Sequence, residues 1–323
     1  MKKIVPLALV IAFAALWLHA GPSLAQAWPQ RTVKLVLPLG PGAGADISAR
    51  LFADQLTRRW GRPVVVENRP GGDGVVALNA VISARDDHTL LWGPAASFVG
   101  HPYTLEKLPY DPRELLPVAR VSNTVVCIAV PSSLNVGSLK ELLELVRARP
   151  GQFNWASVIS VTDIIIAGYL KSAGLDMVKL SYRDTVSALN DLVENRIQLY
   201  SAACAIVRAQ AQAGRIKLLA VTNRARAPGL DLPTVAEAGV PGLSFDGLVG
   251  LIAARSSGMS DAARERIAAD VAAVAADPTI TERLTATVQI VNPGSGAEFA
   301  ASIDEQAAQL AETAKLLGIK PRP

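Results

Sequence analysis

The sequence predicts an α/β protein of two lobes, built on two mixed or parallel sheets and joined by a hinge that the chain crosses twice. Three observations predict it. Short β-branched runs alternate with amphipathic stretches from Trp28 onward, the pattern of a sheet flanked by helices. The same alternation begins again near Val125, giving a second series. The 323 residues, half of them apolar, suffice for two cores.

The first series opens with the strand VKLVL at 33–37, a glycine-rich turn and a helix over 46–60. That helix carries Ile47, Leu51, Phe52, Leu56 and Trp60 on one face. Arg50, Asp54 and Arg58 lie opposite, with Asp54 and Arg58 at ion-pair spacing. Gly61 and Pro63 end the helix. A strand at 64–67, the turn R-P-G-G-D-G at 69–74, a helix to about residue 85 and a strand at 89–92 complete the series. The second series has strands at 125–130, 153–157, 177–180, 197–200 and 216–221. Its helices begin near Ser138, Thr162, Thr185 and Cys204. An Arg-, Pro- and Gly-rich stretch at 223–233 then leads to a short helix at 234–237, a strand at 248–253 and three helical segments. In the last of these, 296–317, Phe299, Ile303, Ala307, Leu310, Ala314 and Leu317 recur at spacings of three and four, and Gly318 stops it. The simplest arrangement puts 28–122 and 223–323 in lobe 1 and 123–222 in lobe 2. Crossings near 122 and 222 then form the hinge.

Residues 1–27 read as a secretory signal peptide. Lys2 and Lys3 precede an apolar run from Ile4 to Leu18, and small and polar residues follow to Ala27, where cleavage is expected. The run is about 15 residues, short of the roughly 20 that a membrane span needs. No later segment reads as a span, and no cysteine near the cleavage point offers a lipid anchor. The mature protein is therefore expected in the periplasm, as a monomer. Removing Lys2 and Lys3 lowers the formal charge from +4 to +2. The basic residues are scattered rather than striped, which argues against a nucleic-acid surface. Cys127 and Cys204 each lie in an apolar, strand-like stretch. A disulfide is allowed outside the cytosol, but buried free thiols are the expected reading.

Catalytic and metal signatures are absent from the sequence. Beyond residue 27 the only histidines are His88 and His101, and neither has metal-ligand spacing to Cys, Asp or Glu. Both read as structural. There is no nucleophile elbow, no H-E-x-x-H and no P-loop lysine. No enzyme activity, cofactor or metal is expected.

The loop Gly40-Pro41-Gly42-Ala43-Gly44-Ala45-Asp46 stands between a strand and a helix. Its G-x-G-x-G spacing departs from the G-x-G-x-x-G of dinucleotide sites, and an exported chain meets few nicotinamide cofactors. Glycines let the backbone take positive φ and let a ligand reach main-chain N–H groups. At a helix N-terminus those donors and the macrodipole favour an anion such as a carboxylate. Asp46 is the expected N-cap. A tight βα turn with no ligand is the plain alternative. The helix end supplies about 0.3–2 kcal/mol, whereas micromolar binding needs roughly 8 kcal/mol. A second wall and closure must supply the difference.

The runs V-K-L-V-L-P-L-G-P-G-A-G-A-D and R-P-V-V-V-E-N-R-P-G-G-D-G resemble the start of mature Bug proteins, the TctC-like substrate-binding receptors of tripartite tricarboxylate transporters. T-L-L-W-G, K-L-P-Y-D-P, A-R-P-G-Q-F-N-W-A-S, A-G-R-I-K-L-L-A-V-T-N and L-P-T-V-A-E-A-G agree in order across the rest of the chain. The resemblance implies a hinge-closing fold like that of type II periplasmic binding proteins, with a carboxylate held between two facing loops by backbone amides and waters. It also implies delivery to membrane permease subunits; docking on a membrane sensor is the rival partner. By resemblance the first loop comprises Pro41, Gly42, Ala43, Gly44, Ala45 and Asp46. The second comprises Ser157, Ile159, Ser160 and Thr162. Ala95, Ser97, Tyr182 and Thr185 add contacts.

This sequence departs from the family pattern A-S-x-G-x-G-S. It reads Ala156-Ser157-Val158-Ile159-Ser160-Val161-Thr162, with β-branched residues in place of both glycines. Ala45 replaces the usual hydroxyl residue, Tyr182-Arg183-Asp184-Thr185 replaces Tyr-Lys-Gly-Ser/Thr, and Gln198 stands where an Asp is usual. Two readings stay open. Either the Ser160 and Thr162 side chains replace backbone donors, or Val158 and Ile159 shape a pocket for an aromatic or weakly charged ligand.

Overall fold

A computed structural model describes residues 28–157, 160–182 and 184–322. The predicted signal peptide lies outside the described residues. Along the chain run β1 (Val33–Leu37), α1 (Gly44–Trp60), β2 (Val64–Asn68), α2 (Val75–Ala84), β3 (Thr89–Pro94), α3 (Ala95–Thr104) and β4 (Leu115–Thr124). There follow β5 (Val126–Pro131), α4 (Leu139–Ala148), β6 (Asn154–Ser157), α5 (Ser160–Ser172), β7 (Val178–Lys179), α6 (Thr185–Val193), β8 (Leu199–Ala203), α7 (Cys204–Gln212) and β9 (Ile216–Val221). The chain ends with β10 (Gly247–Ala254), α8 (Asp261–Ala275), α9 (Pro278–Ala286), β11 (Gln289–Ser295) and α10 (Gly296–Leu317).

The fold is α/β with two mixed sheets, ordered β11-β4-β10-β3-β1-β2 and β7-β6-β8-β5-β9. In the first, β1 pairs in parallel with β2 and β3, while β10 runs antiparallel to β3 and β4. In the second, β6 is parallel to β7 and β8, and β5 is antiparallel to β8 and β9. Each parallel part comes from β-branched runs interrupted by helices, because a parallel return needs a crossover. The chain leaves the first sheet between Thr124 and Val126 and re-enters it at Gly247. Asn223, fully buried, stitches the crossings together. Its Oδ1 accepts from the Val126 N–H at 3.1 Å and its Nδ2 donates to the Thr124 carbonyl at 3.1 Å.

Phe52, Leu56 and Trp60 of α1 pack with Leu35 and Leu37 on one face of the first sheet, where Ile267 and Val271 of α8 join them. The buried stripe of α1 includes Ala45, Ala49 and Ala53, leaving Ile47 and Leu51 only half-buried. On the opposite face Phe299 of α10 packs with Val36, Leu91 and Leu248. Gly250 makes room for its ring, since a Cβ there would collide with it. Farther along α10, Leu310 and Ala314 enter a different core with Ile128, Trp155 and Leu199 of the second sheet and Ala96 and Val99 of α3. The recurring apolar positions of the last helix thus serve both sheets.

Several expectations need correction. Cys127 and Cys204 form a disulfide, Cα atoms 5.0 Å apart, joining the start of β5 to the start of α7. They lie on facing ends of neighbouring elements, a proximity that their separation of 77 residues hides. The short helix at 234–237 is a turn, with Thr234 bridging to Val221. Strands β4 and β11 and helix α3 had no counterpart in the sequence pattern. Arg58 reaches Gln55 (3.5 Å) in place of Asp54.

Candidate functional site

Ligand-competent chemistry in an open α/β sheet gathers beyond the carboxyl ends of its parallel strands, where helix N-termini converge. The described residues of the sequence-predicted site lie beyond such strand ends. Pro41 to Asp46 follow β1, Ala95 and Ser97 follow β3, Ser157 and Thr162 bracket the end of β6, and Tyr182 and Thr185 follow β7. Ile159, like Val158 and Arg183, falls outside the described residues. Ser160 is the first residue of α5.

On the first sheet the loops touch. A Cβ on Gly74, whose φ is +97°, would come within 3.3 Å of Pro38 and 3.4 Å of Ser97. The ends of β1, β2 and β3 therefore share one wall. Gly42 has φ +84° and nothing within 4 Å of a would-be Cβ, so its requirement is conformational. Pro41 and Gly42 are exposed, Ala43 and Gly44 half-buried, and Ala45 buried.

Asp46 is not the N-cap that the sequence suggested. Helix α1 starts at Gly44 with Ala43 as N-cap and no side-chain cap bond. The Asp46 carboxylate instead reaches back from the first turn, accepting from the Gly42 N–H (2.9 Å), from Arg50 Nε and Nη2 (3.1 and 3.0 Å) and from Asn68 Nδ2 (2.8 Å). Asn68 also donates to the Leu39 carbonyl (2.9 Å). Burial alone would raise the Asp46 carboxyl, but the bonds from Arg50, Gly42 and Asn68 prevail and hold it below its ordinary value. Arg50 neutralises a charge that would otherwise repel an incoming anion. Gln289 fixes the other side of the loop by donating to the Gly44 carbonyl (2.8 Å).

The starts of the helices differ systematically. Among the described residues, α4, α6, α8, α9 and α10 carry side-chain caps from Ser138, Asp184, Ser260, Asp277 and Ser295. Helices α1, α2, α3 and α7, whose N-caps are Ala43, Gly74, Pro94 and Ala203, have none. All four follow strands in the parallel parts of the sheets. No capping oxygen takes up their first amides, but the Val75 N–H that opens α2 already donates to the Gly72 carbonyl and the Cys204 N–H that opens α7 to the Val125 carbonyl (2.9 Å). The open starts are those of α1 and α3.

The second sheet contributes Ser157 and Thr162, both buried, whose hydroxyls bond to each other. Helix α5 packs against α3, with Val161 and Ile164 in the same core as Ala96 and Val99, so the two walls meet there. Asp163 follows Thr162. Burial pushes its carboxyl up; the Lys179 ammonium 2.6 Å away opposes this, and the charge of Asp73, from the turn before α2, adds to it. Tyr182 and Thr185 are less available. The Tyr182 hydroxyl donates to Asp191 (2.6 Å), which with burial pushes the phenol up to about 12. The start of α6 at Thr185 is closed by Asp184.

Sequence reading missed Arg50, Asn68, Asp73, Asp163 and Gln289. Asn68 lay inside the V-V-E-N-R-P-G run, but its partners are set by sheet pairing. His101 and His88 have structural partners. His101, wholly buried, sits between the Tyr110 hydroxyl (2.7 Å) and the Asp73 carbonyl (2.9 Å). His88 Nε2 accepts from the Gln30 N–H (3.1 Å) and Nδ1 bonds Asp87 (2.6 Å). Contrary to the spacing argument, Asp86, Asp87 and His88 do bring ligand-type atoms within 4.8 Å of one another. Arg31 (3.2 Å) and the His88 N–H (2.8 Å) engage Asp86, so these groups hold the turn into β3.

Similarity to known proteins follows the same lines. A family model described as the tripartite tricarboxylate transporter family receptor matches residues 48–318. A UPF0065 protein of Bordetella bronchiseptica is 29% identical over 316 residues, 97% of this chain and 93% of that protein. Among solved structures, an R. palustris protein with adipate is 28% identical with a TM-score of 0.78, covering 91% of this chain and 99% of that one. The periplasmic binding protein BugD is 26% identical with a TM-score of 0.73 over the same shares.

Proposed function

The chain belongs to the tripartite tricarboxylate transporter receptor family, a family of periplasmic solute-binding proteins, and from that premise we propose that it captures a small organic acid between its two sheets. The observation that carries this reading is the pair of uncapped helix starts, α1 and α3, at the ends of the neighbouring parallel strands β1 and β3. A carboxylate is the group such donors suit, because each unmet N–H and each helix dipole favours negative charge. The adipate held by the 28% identical relative is an acid of this kind. Pro41 to Asp46, with Ala95 and Ser97, form the first wall, and Ser157 to Thr162 the second. The hinge lies at the crossings that Asn223 joins, and closure about it excludes water. Delivery to the membrane subunits of a tripartite transporter completes the role.

Thermal unfolding with a panel of di- and tricarboxylates, acidic amino acids and aromatic acids tests the reading. At a hundredfold excess over Kd a true ligand stabilises by about 2.7 kcal/mol, a rise of several degrees in Tm. Gly42→Ala should shrink that rise. A flat response to every acid would overturn the proposal.

A further inference from the structure

Resting on the organic-acid reading, we propose that the ligand carries a hydrogen-bond donor, an ammonium or hydroxyl group, beside its carboxylate, and that Asp163 and Ser201 read it. Asp163 is in the first turn of α5, next to Thr162. Its Oδ2 accepts from Lys179 Nζ at 2.6 Å, while its Oδ1 is buried with no hydrogen-bond partner. Ser201 lies on β8 in register with Ser157 on β6. It is 1% exposed, and its Oγ also has no partner. Two orphaned oxygens thus stand on one wall, around Ser157 and Thr162.

Buried polar atoms without partners cost free energy, and folded proteins keep few of them. A pair beside a candidate ligand site has a direct explanation when the ligand supplies what is missing. Asp163 also faces the first wall, since α5 packs on α3 and the charge of Asp73 acts on its carboxylate. A ligand that offered only carboxylates would meet two like charges, Asp73 and Asp163. Lys179 offsets one of them. An ionised carboxylate accepts hydrogen bonds and donates none, so the group it selects must be a donor, and an ammonium adds charge attraction.

Titration calorimetry on the mature chain tests this with acids matched except for the donor: succinate, malate and aspartate; glutarate, hydroxyglutarate and glutamate; benzoate and para-hydroxybenzoate. In each series that binds, a donor-bearing acid should bind at least about tenfold tighter than the bare one, the worth of one hydrogen bond to a charged group. Asp163→Asn should bring the two within about threefold. Ser201→Ala should weaken the donor-bearing acid several-fold while leaving the Tm of the ligand-free protein at or above wild type, because it deletes an orphan. Equal or tighter binding of the bare acids, or a preference that survives both substitutions, overturns the inference. Binding without preference refutes this inference alone, whereas no binding by any acid refutes the organic-acid reading with it.

Discussion

Asp46 and Gly42 together hold the first wall in shape. The carboxylate closes the Gly40–Asp46 loop through the Gly42 N–H and ties it to Asn68 at the end of β2. Asp46→Ala should cost about 2 kcal/mol, the scale of lost charge-assisted bonds in a buried place, and lower Tm by several degrees. Its pH dependence has a definite sign. The folded-state value lies below the ordinary one, so the ionised form stabilises the fold; the contribution is complete above about pH 4 and is lost as pH falls through the lowered value. Wild type should therefore lose stability toward acid more steeply than Asp46→Asn in chemical denaturation. Gly42→Ala forces a Cβ into the left-handed region, at about 1 kcal/mol, with weaker acid binding by calorimetry. The importance of this loop was legible from its glycines and its position before a helix. Asp46's partners were not, because Asn68 is brought to it by the parallel pairing of β1 and β2.

At the scale of elements, side-chain caps close α4, α6, α8, α9 and α10, whereas among the described residues α1 and α3 start with neither a side-chain cap nor a backbone acceptor on their first amide. Ser295→Ala removes the capping box that closes α10 and should cost about 1 kcal/mol, with acid binding unchanged in the same calorimetric assay. The disulfide pins β5 to α7. Cys127→Ser should cost about 2–5 kcal/mol, read from denaturant midpoints; a loss equal to that of reduced wild type would identify the bond as the cause. Strands such as β1, β2 and β9 were legible because they are short apolar runs that include β-branched residues, VKLVL, VVVEN and IKLLAV. Strand β4 was not: Pro117 interrupts it, and Ser122, Asn123 and Thr124 are polar. Pairing with β10 on one side and β11 on the other fixes it as a strand. Helix α3, with Pro102 inside, is held by packing on α5 and α10 and escaped notice for the same reason.

For the whole molecule, the proposed binding turns on two sheets whose parallel strand ends carry the two proposed walls and whose crossings Asn223 joins. Asn223→Leu strips the buried Val126 N–H of its acceptor and the half-buried Thr124 carbonyl of a donor and should cost about 2 kcal/mol or more, measured by denaturant unfolding. The alternation of strands and helices made both sheets readable in advance. The sharing of α10 between two cores became visible only when Phe299 and Leu310 were seen on different partners. The central claim is that an organic acid sits between the Pro41–Asp46 loop and the Ser157–Thr162 wall. A crystal structure of protein purified without refolding, grown with the acid that most raises its Tm, measures this directly. Carboxylate density is expected against the first amides of α1 and α3, facing Ser157 and Thr162. Density for the acid elsewhere, with these amides bonded only to water, would contradict it.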